Sequence, residues 1–408
     1  MSSTSSLGWF FTIQRVIVLA VLVLPFHTLK AQDNETYSEF SGNVGFEYRY
    51  FTSDALYPGQ KDHFPALSIQ PEYYMEWKGG KYILNFTGFG RVDFTDSERN
   101  HLDIRELYFQ TVNTNWEFSF GFKKIYWGVT EAAHLVDIIN QTDNLETFDG
   151  EQKLGQLMAH YSYLTNIGTF DLFAMSLFRK RQFPGVDGRL RTPDPIVNGQ
   201  LDFESSMDET RPEAAIRWSH YFGPVDIGVS YFHGNGREPI VGINNDGSLF
   251  GVYPVIHQTG LDLQATTGPI LWKFESIIRI SDIQDMKAMD VGIEYTFGNI
   301  GGSGIDLGLL GEYLYDDRGD RALNSLQSDV FLGGRLAFND VQSTEFLFGT
   351  ILDVKRSTRL ISLEGNRRFG ESLKASLEMR LFQDVSEEEF IYLFRSDDFV
   401  KFELGWYF

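Results

Sequence analysis

Cysteine is absent from the 408-residue chain. Its absence excludes thiolate metal sites, disulfide frameworks and cysteine nucleophiles together. Basic residues are also scarce, with 35 Lys and Arg against 56 Asp and Glu, for a formal charge of −21. That excludes a surface that wraps nucleic acid, because neutralising phosphates requires a basic patch. Proline is limited to 12 residues, and no Pro- or Ser-rich linker divides the chain into separate domains. Beyond residue 31 no apolar run approaches the roughly 20 residues of a membrane-spanning helix. What the chain has in quantity is aromatic: 36 Phe, 19 Tyr and 7 Trp. With 22% charged residues, this composition belongs to an ordered chain and not to a disordered acidic tail.

Residues 1–31 read as a secretory signal peptide, with basic Arg15, an apolar run from Val16 to Phe26 and cleavage after Ala31. The run is too short for a membrane anchor. A short segment, 32–39, is expected to lie on the periplasmic side and to lead into a single domain over 40–408.

From Phe40 to the last residue the dominant period is two. Val44, Phe46, Tyr48 and Tyr50 alternate with Asn43, Gly45, Glu47 and Arg49, and Leu373, Ala375, Leu377, Met379 and Leu381 alternate with Lys374, Ser376, Glu378 and Arg380. This is the pattern of strands with one apolar and one polar face. About 18 such segments of roughly 10 to 14 residues follow one another, close to the length a tilted strand needs to cross a bilayer.

Connection lengths alternate as well. Lys78-Gly79-Gly80, Asn113-Thr114, Phe222-Gly223 and Thr267-Gly268 are tight, whereas Val129 to Gln152, Lys180 to Arg211, His233 to Tyr253, Asp316 to Leu326 and Asp384 to Asp398 are long. Short turns on one side and long loops on the other mark an all-β transmembrane antiparallel barrel, with periplasmic turns and extracellular loops. Trp77, Tyr82, Trp116, Trp218, Tyr231, Trp272 and Trp406 fall near predicted strand ends, where amphipathic rings suit the membrane interface. The last strand alternates Val400, Phe402, Leu404, Trp406 and Phe408 up to the carboxyl end. This ending resembles the C-terminal signal of bacterial outer-membrane proteins, which implies the barrel-assembly machinery as a partner, with outer-membrane lipid and lipopolysaccharide around the barrel.

A barrel of this size approaches the range that encloses an aqueous channel. If the polar parity faces inward, the predicted lining includes the acids Glu47, Asp93 and Glu106 and the bases Arg49, Arg91, Lys123, Arg217, Arg335 and Arg380. Over all strands the inward positions hold about two acids per base, a balance that favours cations or neutral solutes over anions. Parity is mixed on the strands near Arg105 and Arg359.

The segment Val129 to Gln152 departs from the two-residue period. It carries apolar Ala132, Ala133, Leu135, Val136, Ile138 and Ile139, which an exposed loop does not need, and the spacing of Leu135, Ile138 and Ile139 predicts a short helix. Folded inward, it would place Glu131, His134, Asp137, Asn140 and Asp143, followed by Glu146 and Asp149, at a constriction. An extracellular cap packed on neighbouring loops is the alternative.

The stretch from Leu102 to Asp143 resembles a porin-like outer-membrane family of Gram-negative bacteria grouped as a domain of unknown function, and more distantly the alginate-export barrels. The similarity rests on Arg105-Glu106-Leu107-Tyr108, Gly121-Phe122-Lys123-Lys124, Trp127-Gly128 and Asp137-Ile138-Ile139-Asn140. It implies a barrel and transport; an alginate exporter would need a basic pore that the inward positions lack. The expectation is a passive channel for small hydrophilic solutes, cationic or neutral, in the outer membrane. Alternatives are a structural barrel, export of polysaccharide or hydrophobic compounds, and a hydrolase built on His160 and Ser162. The 8 His are dispersed without ligand spacing, so neither a metal nor a cofactor is expected.

Overall fold

The computed structural model describes residues 36–196, 201–243, 249–322, 324 and 326–408. The expected signal peptide, 1–31, lies outside the described residues. Eighteen strands make one sheet. In chain order they are β1 (Thr36–Phe51), β2 (His63–Trp77), β3 (Tyr82–Asp93), β4 (His101–Val112), β5 (Trp116–Lys123) and β6 (Gln156–Thr165). Next come β7 (Gly168–Met175), β8 (Glu213–Phe222), β9 (Val225–Asn235), β10 (Val255–Thr267), β11 (Ile270–Ile280) and β12 (Met286–Phe297). The last six are β13 (Asp306–Asp316), β14 (Ser328–Ala337), β15 (Glu345–Asp353), β16 (Arg359–Phe369), β17 (Leu373–Gln383) and β18 (Phe399–Tyr407).

Each strand pairs antiparallel with its neighbours in sequence, and β1 pairs with β18 from Asn43 opposite Tyr407 to Phe51 opposite Phe399. The sheet therefore closes into a barrel without free edges. The strand count is the expected one of about 18. One difference is at the beginning, where Thr36 to Glu39 belong to β1 and pair with Trp77 to Tyr74. The expected 32–39 segment is shorter by those residues.

Burial is inverted relative to a water-soluble fold. On β1, Phe46 and Tyr50 are 41% and 39% exposed while Glu47 is 3% and Arg49 8% exposed, so the apolar face looks outward and the charged face into the barrel. Aromatic groups mark both rims. Trp77, Tyr82 and Phe109 cluster on the short-turn side, and Trp272 and Trp406 are exposed there. On the long-loop side Tyr48 and Tyr231 each bond a histidine ring nitrogen, His63 and His257 respectively, at 2.7 Å. The tight turn after β10 needs Gly268 at φ +63°, a left-handed conformation costly for residues with a Cβ. The mixed parity near Arg105 has a local cause. A β-bulge at Thr87/Gly88 leaves Arg105 unpaired between Glu106 and Ile104, so Arg105 and Glu106 both turn inward although they are adjacent.

Candidate functional site

The connection between β5 and β6 turns into the barrel. It forms no helix among its described residues, contrary to the expectation for Leu135, Ile138 and Ile139; turns and extended chain carry it, with a single bridge between Thr142 and Lys153. Its apolar residues are committed to the wall rather than to a helical face. Val136, Ile138 and Ile139 pack in one cluster with Met158, Phe173, Phe232, Ile256 and Ile277, which are inward residues of β6, β7 and β9 to β11. Val136 and Ile139 are fully buried, and each contributes about 1.5–3 kcal/mol. The lumen is therefore not uniformly polar, as the strand parity had suggested. Near the long-loop side, the wall of β6 to β12 is apolar and the segment covers it.

Buried carboxylates fix the segment by its backbone. Glu275 Oε1 on β11 accepts from the N–H groups of Val129 at 2.6 Å and Thr130 at 3.0 Å, and Oε2 accepts from Val136 N–H at 3.2 Å. Glu312 on β13 accepts from the N–H groups of Glu131 and Ala132. These acids supply acceptors that a non-helical buried backbone would otherwise lack. Gly128 makes the approach possible: at φ +123°, a Cβ there would stand 2.8 Å from Glu275 Oε1.

The other flank is held by charge. Arg91 donates to both oxygens of Glu146, from Nε at 2.8 Å and from Nη2 at 2.6 Å, and also binds Glu47 at 3.0 Å. Arg99 bridges Glu47 and Asp93 and donates to the carbonyl of Leu145. Arg105 pairs with Asp143. All of these side chains are buried. Burial alone would raise the Glu146 pKa; the Arg91 and Arg99 guanidiniums outweigh it and hold the group below its ordinary value. His101, Asp143 and Glu146 bring ligand atoms within 4.8 Å of one another. Guanidiniums already hold both carboxylates, and so much positive charge disfavours a cation there.

The predicted constriction residues divide accordingly. Glu131 pairs with Arg335 at 2.7 Å and Lys273 at 3.7 Å. His134 donates toward Glu151 at 3.1 Å and stands 4.0 Å from Glu275; the Glu151 carboxylate first, then that of Glu275, raise its pKa to about 10. Asp137 sits 3.3 Å from Lys153, with burial pushing its pKa up. Asn140 is a brace, accepting from Ile125 N–H and donating to the carbonyls of Lys123 and Leu154. Asp143 lies in the arginine cluster and does not reach open space.

Between the segment and the wall of β14 to β17 remains a cavity of about 810 Å³. It extends from Leu190 and Phe394 in the long loops to Glu345 and Asn366 near the short turns. Arg335 and Arg380 are the two predicted lining residues that border it. Glu47, Arg49, Arg91 and Asp93 stand in or beside the charged flank, Glu106 accepts from Lys124 N–H, Lys123 reaches Ser119, and Arg217 binds Asp262 at 2.6 Å. Seven acidic side chains line the cavity against seven Lys and Arg, with protonated His134 an eighth cation, so the two-to-one excess of acids over the whole inner wall does not extend to it. Parity places Glu275 and Glu312 on the inner face but does not reveal that they hold the segment, Arg99 lies outside the strand pattern altogether, and Arg105 was hidden by the bulge.

A closed barrel with an apolar exterior, aromatic rims, a charged interior and a chain segment folded into its lumen is a transmembrane β-barrel of porin architecture. Solved structures share this fold. OccK10 (OpdN) of Pseudomonas aeruginosa gives a TM-score of 0.55 at 10% identity, over 90% of this chain and 99% of that one. OccK8 (OprE) of Pseudomonas aeruginosa gives 0.51 at 11% identity, over 91% and 98%. No family model matches the chain, and no curated protein does.

Proposed function

We propose that the protein is an outer-membrane channel for passive diffusion of small hydrophilic solutes, with the Val129 to Gln152 segment setting the constriction. The observation that carries this reading is the cavity beside the segment, which spans the barrel from the long loops to the short turns. Neutral solutes pass, with at most a weak preference for cations. The balanced lining argues against stronger selectivity, and exposed Glu345 near the short-turn mouth supplies the bias. Lipid and lipopolysaccharide surround the barrel, and the strand ending in Phe408 addresses it to the assembly machinery.

Planar-bilayer recording of the purified protein tests this. Steady conductance that rises when 129–152 is deleted supports it, and silence from both proteins refutes it. A reversal potential showing anion preference would overturn the cation bias. A hydrolase reading is disfavoured because no serine hydroxyl is hydrogen-bonded to His160 among the described residues, although Asp171 at 2.8 Å holds its ring as an orienting carboxylate would.

A further inference from the structure

The wall that borders the cavity is layered. In the strand register Phe331 of β14 stands opposite Ile351 of β15, Ile351 opposite Leu360 of β16, and Leu360 opposite Phe382 of β17. All four line the cavity; Phe331 and Phe382, 5% and 6% exposed, are already packed with Ala132, Ala133 and Leu326 and with Ile391 and Phe394, so the half-buried Ile351 and Leu360 between them carry the open apolar surface of the row. From the opposite side the segment contributes Phe148, whose ring meets Phe382 edge-on at 5.6 Å between centroids. Four positions down the same strands, Arg335 stands opposite Leu347 and Leu347 opposite Glu364. Between the two layers lie Gly333, Gly349 and Ser362, which are small, with Arg380 at their end.

The charged layer carries both signs in exchangeable pairs. Arg380 reaches Asp149 of the segment at 2.7 Å as well as Glu364. Arg335 binds Glu131 and keeps 39% of its side chain exposed. A water-filled pore for polar solutes has no use for the open apolar surface at Ile351 and Leu360, because exposing apolar surface to water is unfavourable. A solute with an apolar group would cover that surface, while its ammonium meets Asp149 or Glu364 and its carboxylate meets Arg335.

We propose that the cavity favours small amphipathic zwitterions, with an apolar group seated on Ile351 and Leu360 and a charged head among Arg335, Glu364 and Arg380. The proposal rests on the channel reading and narrows its solute class. It differs from simple sieving, in which an apolar group gives no advantage.

The test compares two zwitterions of the same net charge, phenylalanine and glutamine, as labelled solutes at low concentration in proteoliposomes, with protein-free liposomes subtracted. Phenylalanine is expected to enter about fourfold faster, the advantage of roughly one methylene removed from water. In bilayers it should add blocking noise to the ionic current, which glutamine does not. An Ile351→Ser, Leu360→Ser double variant should bring the two rates together, with channels still seen in bilayers as evidence of folding. If that variant does not fold, the wild-type block by phenylalanine decides the matter. Conductance with equal entry of the two solutes and no block overturns the amphipathic proposal and leaves the channel standing. No conductance at all overturns the channel reading itself.

Discussion

Arg91 on β3 grips Glu146, 55 residues further along the chain, through two parallel bonds, and both side chains are nearly dry: 5% and 7% exposed. Removing one partner of such a pair leaves an uncompensated buried charge. Arg91→Ala should cost about 3–5 kcal/mol of stability, read from denaturant unfolding in detergent micelles. Replacing both residues by Met should recover most of the loss. A single-variant cost within experimental error would mean that the clamp does not hold the segment.

Glu275 acts on backbone rather than on another charge. Glu275→Ala removes the acceptor of three N–H groups and frees the start of the segment. Open-channel noise should rise and mean conductance should increase, because Val129 to Val136 lose their tether. An unchanged current trace would show that apolar packing alone suffices.

His134 gives the segment a pH dependence. Its pKa is raised to about 10, above the unperturbed imidazole value of about 6.5. Its contribution is therefore complete below the unfolded value and is lost as pH rises toward about 10. Glu151, its partner, has a lowered pKa, so that carboxylate contributes above the ordinary carboxylate range and its contribution fades in acid. The segment should be quiet near neutrality and noisier as recordings are taken toward pH 10. In His134→Gln the alkaline rise should vanish; an identical rise in that variant would assign it elsewhere.

Phe408 extends the seam between β1 and β18 by one residue. Phe408 exchanges backbone hydrogen bonds with Gly42, donating at 3.0 Å and accepting at 3.1 Å, and its ring rests near Phe40 and Trp406. Deletion of Phe408 should lower the amount of folded barrel in the outer membrane several-fold, seen as loss of the compact band in unheated electrophoresis. Normal levels would refute a role in assembly.

The strands and their order were legible in the sequence because a sheet with lipid on one side and water or charge on the other must alternate at every step, and Val44 to Tyr50 or Phe402 to Phe408 carry that alternation openly. Connection lengths showed that tight turns gather at one end and long loops at the other. The inward fold of 129–152 was foreshadowed by Val136, Ile138 and Ile139, too apolar for an exposed loop. Its helix was misread, since the spacing of three residues does not reveal that each will meet a different strand of the wall.

What the sequence determined by itself, then, is a membrane-spanning barrel of about eighteen strands with one anomalous segment, because those features depend on local period and length. Only the tertiary structure decided which inward charges face open space. Parity places Arg91 and Arg380 on the same inner surface, yet Arg91 is sealed against Glu146 while Arg380 borders the cavity. The difference arises from where the segment lies across the lumen, and that is set by long-range contacts such as Glu275 with Thr130, whose partners are 145 residues apart.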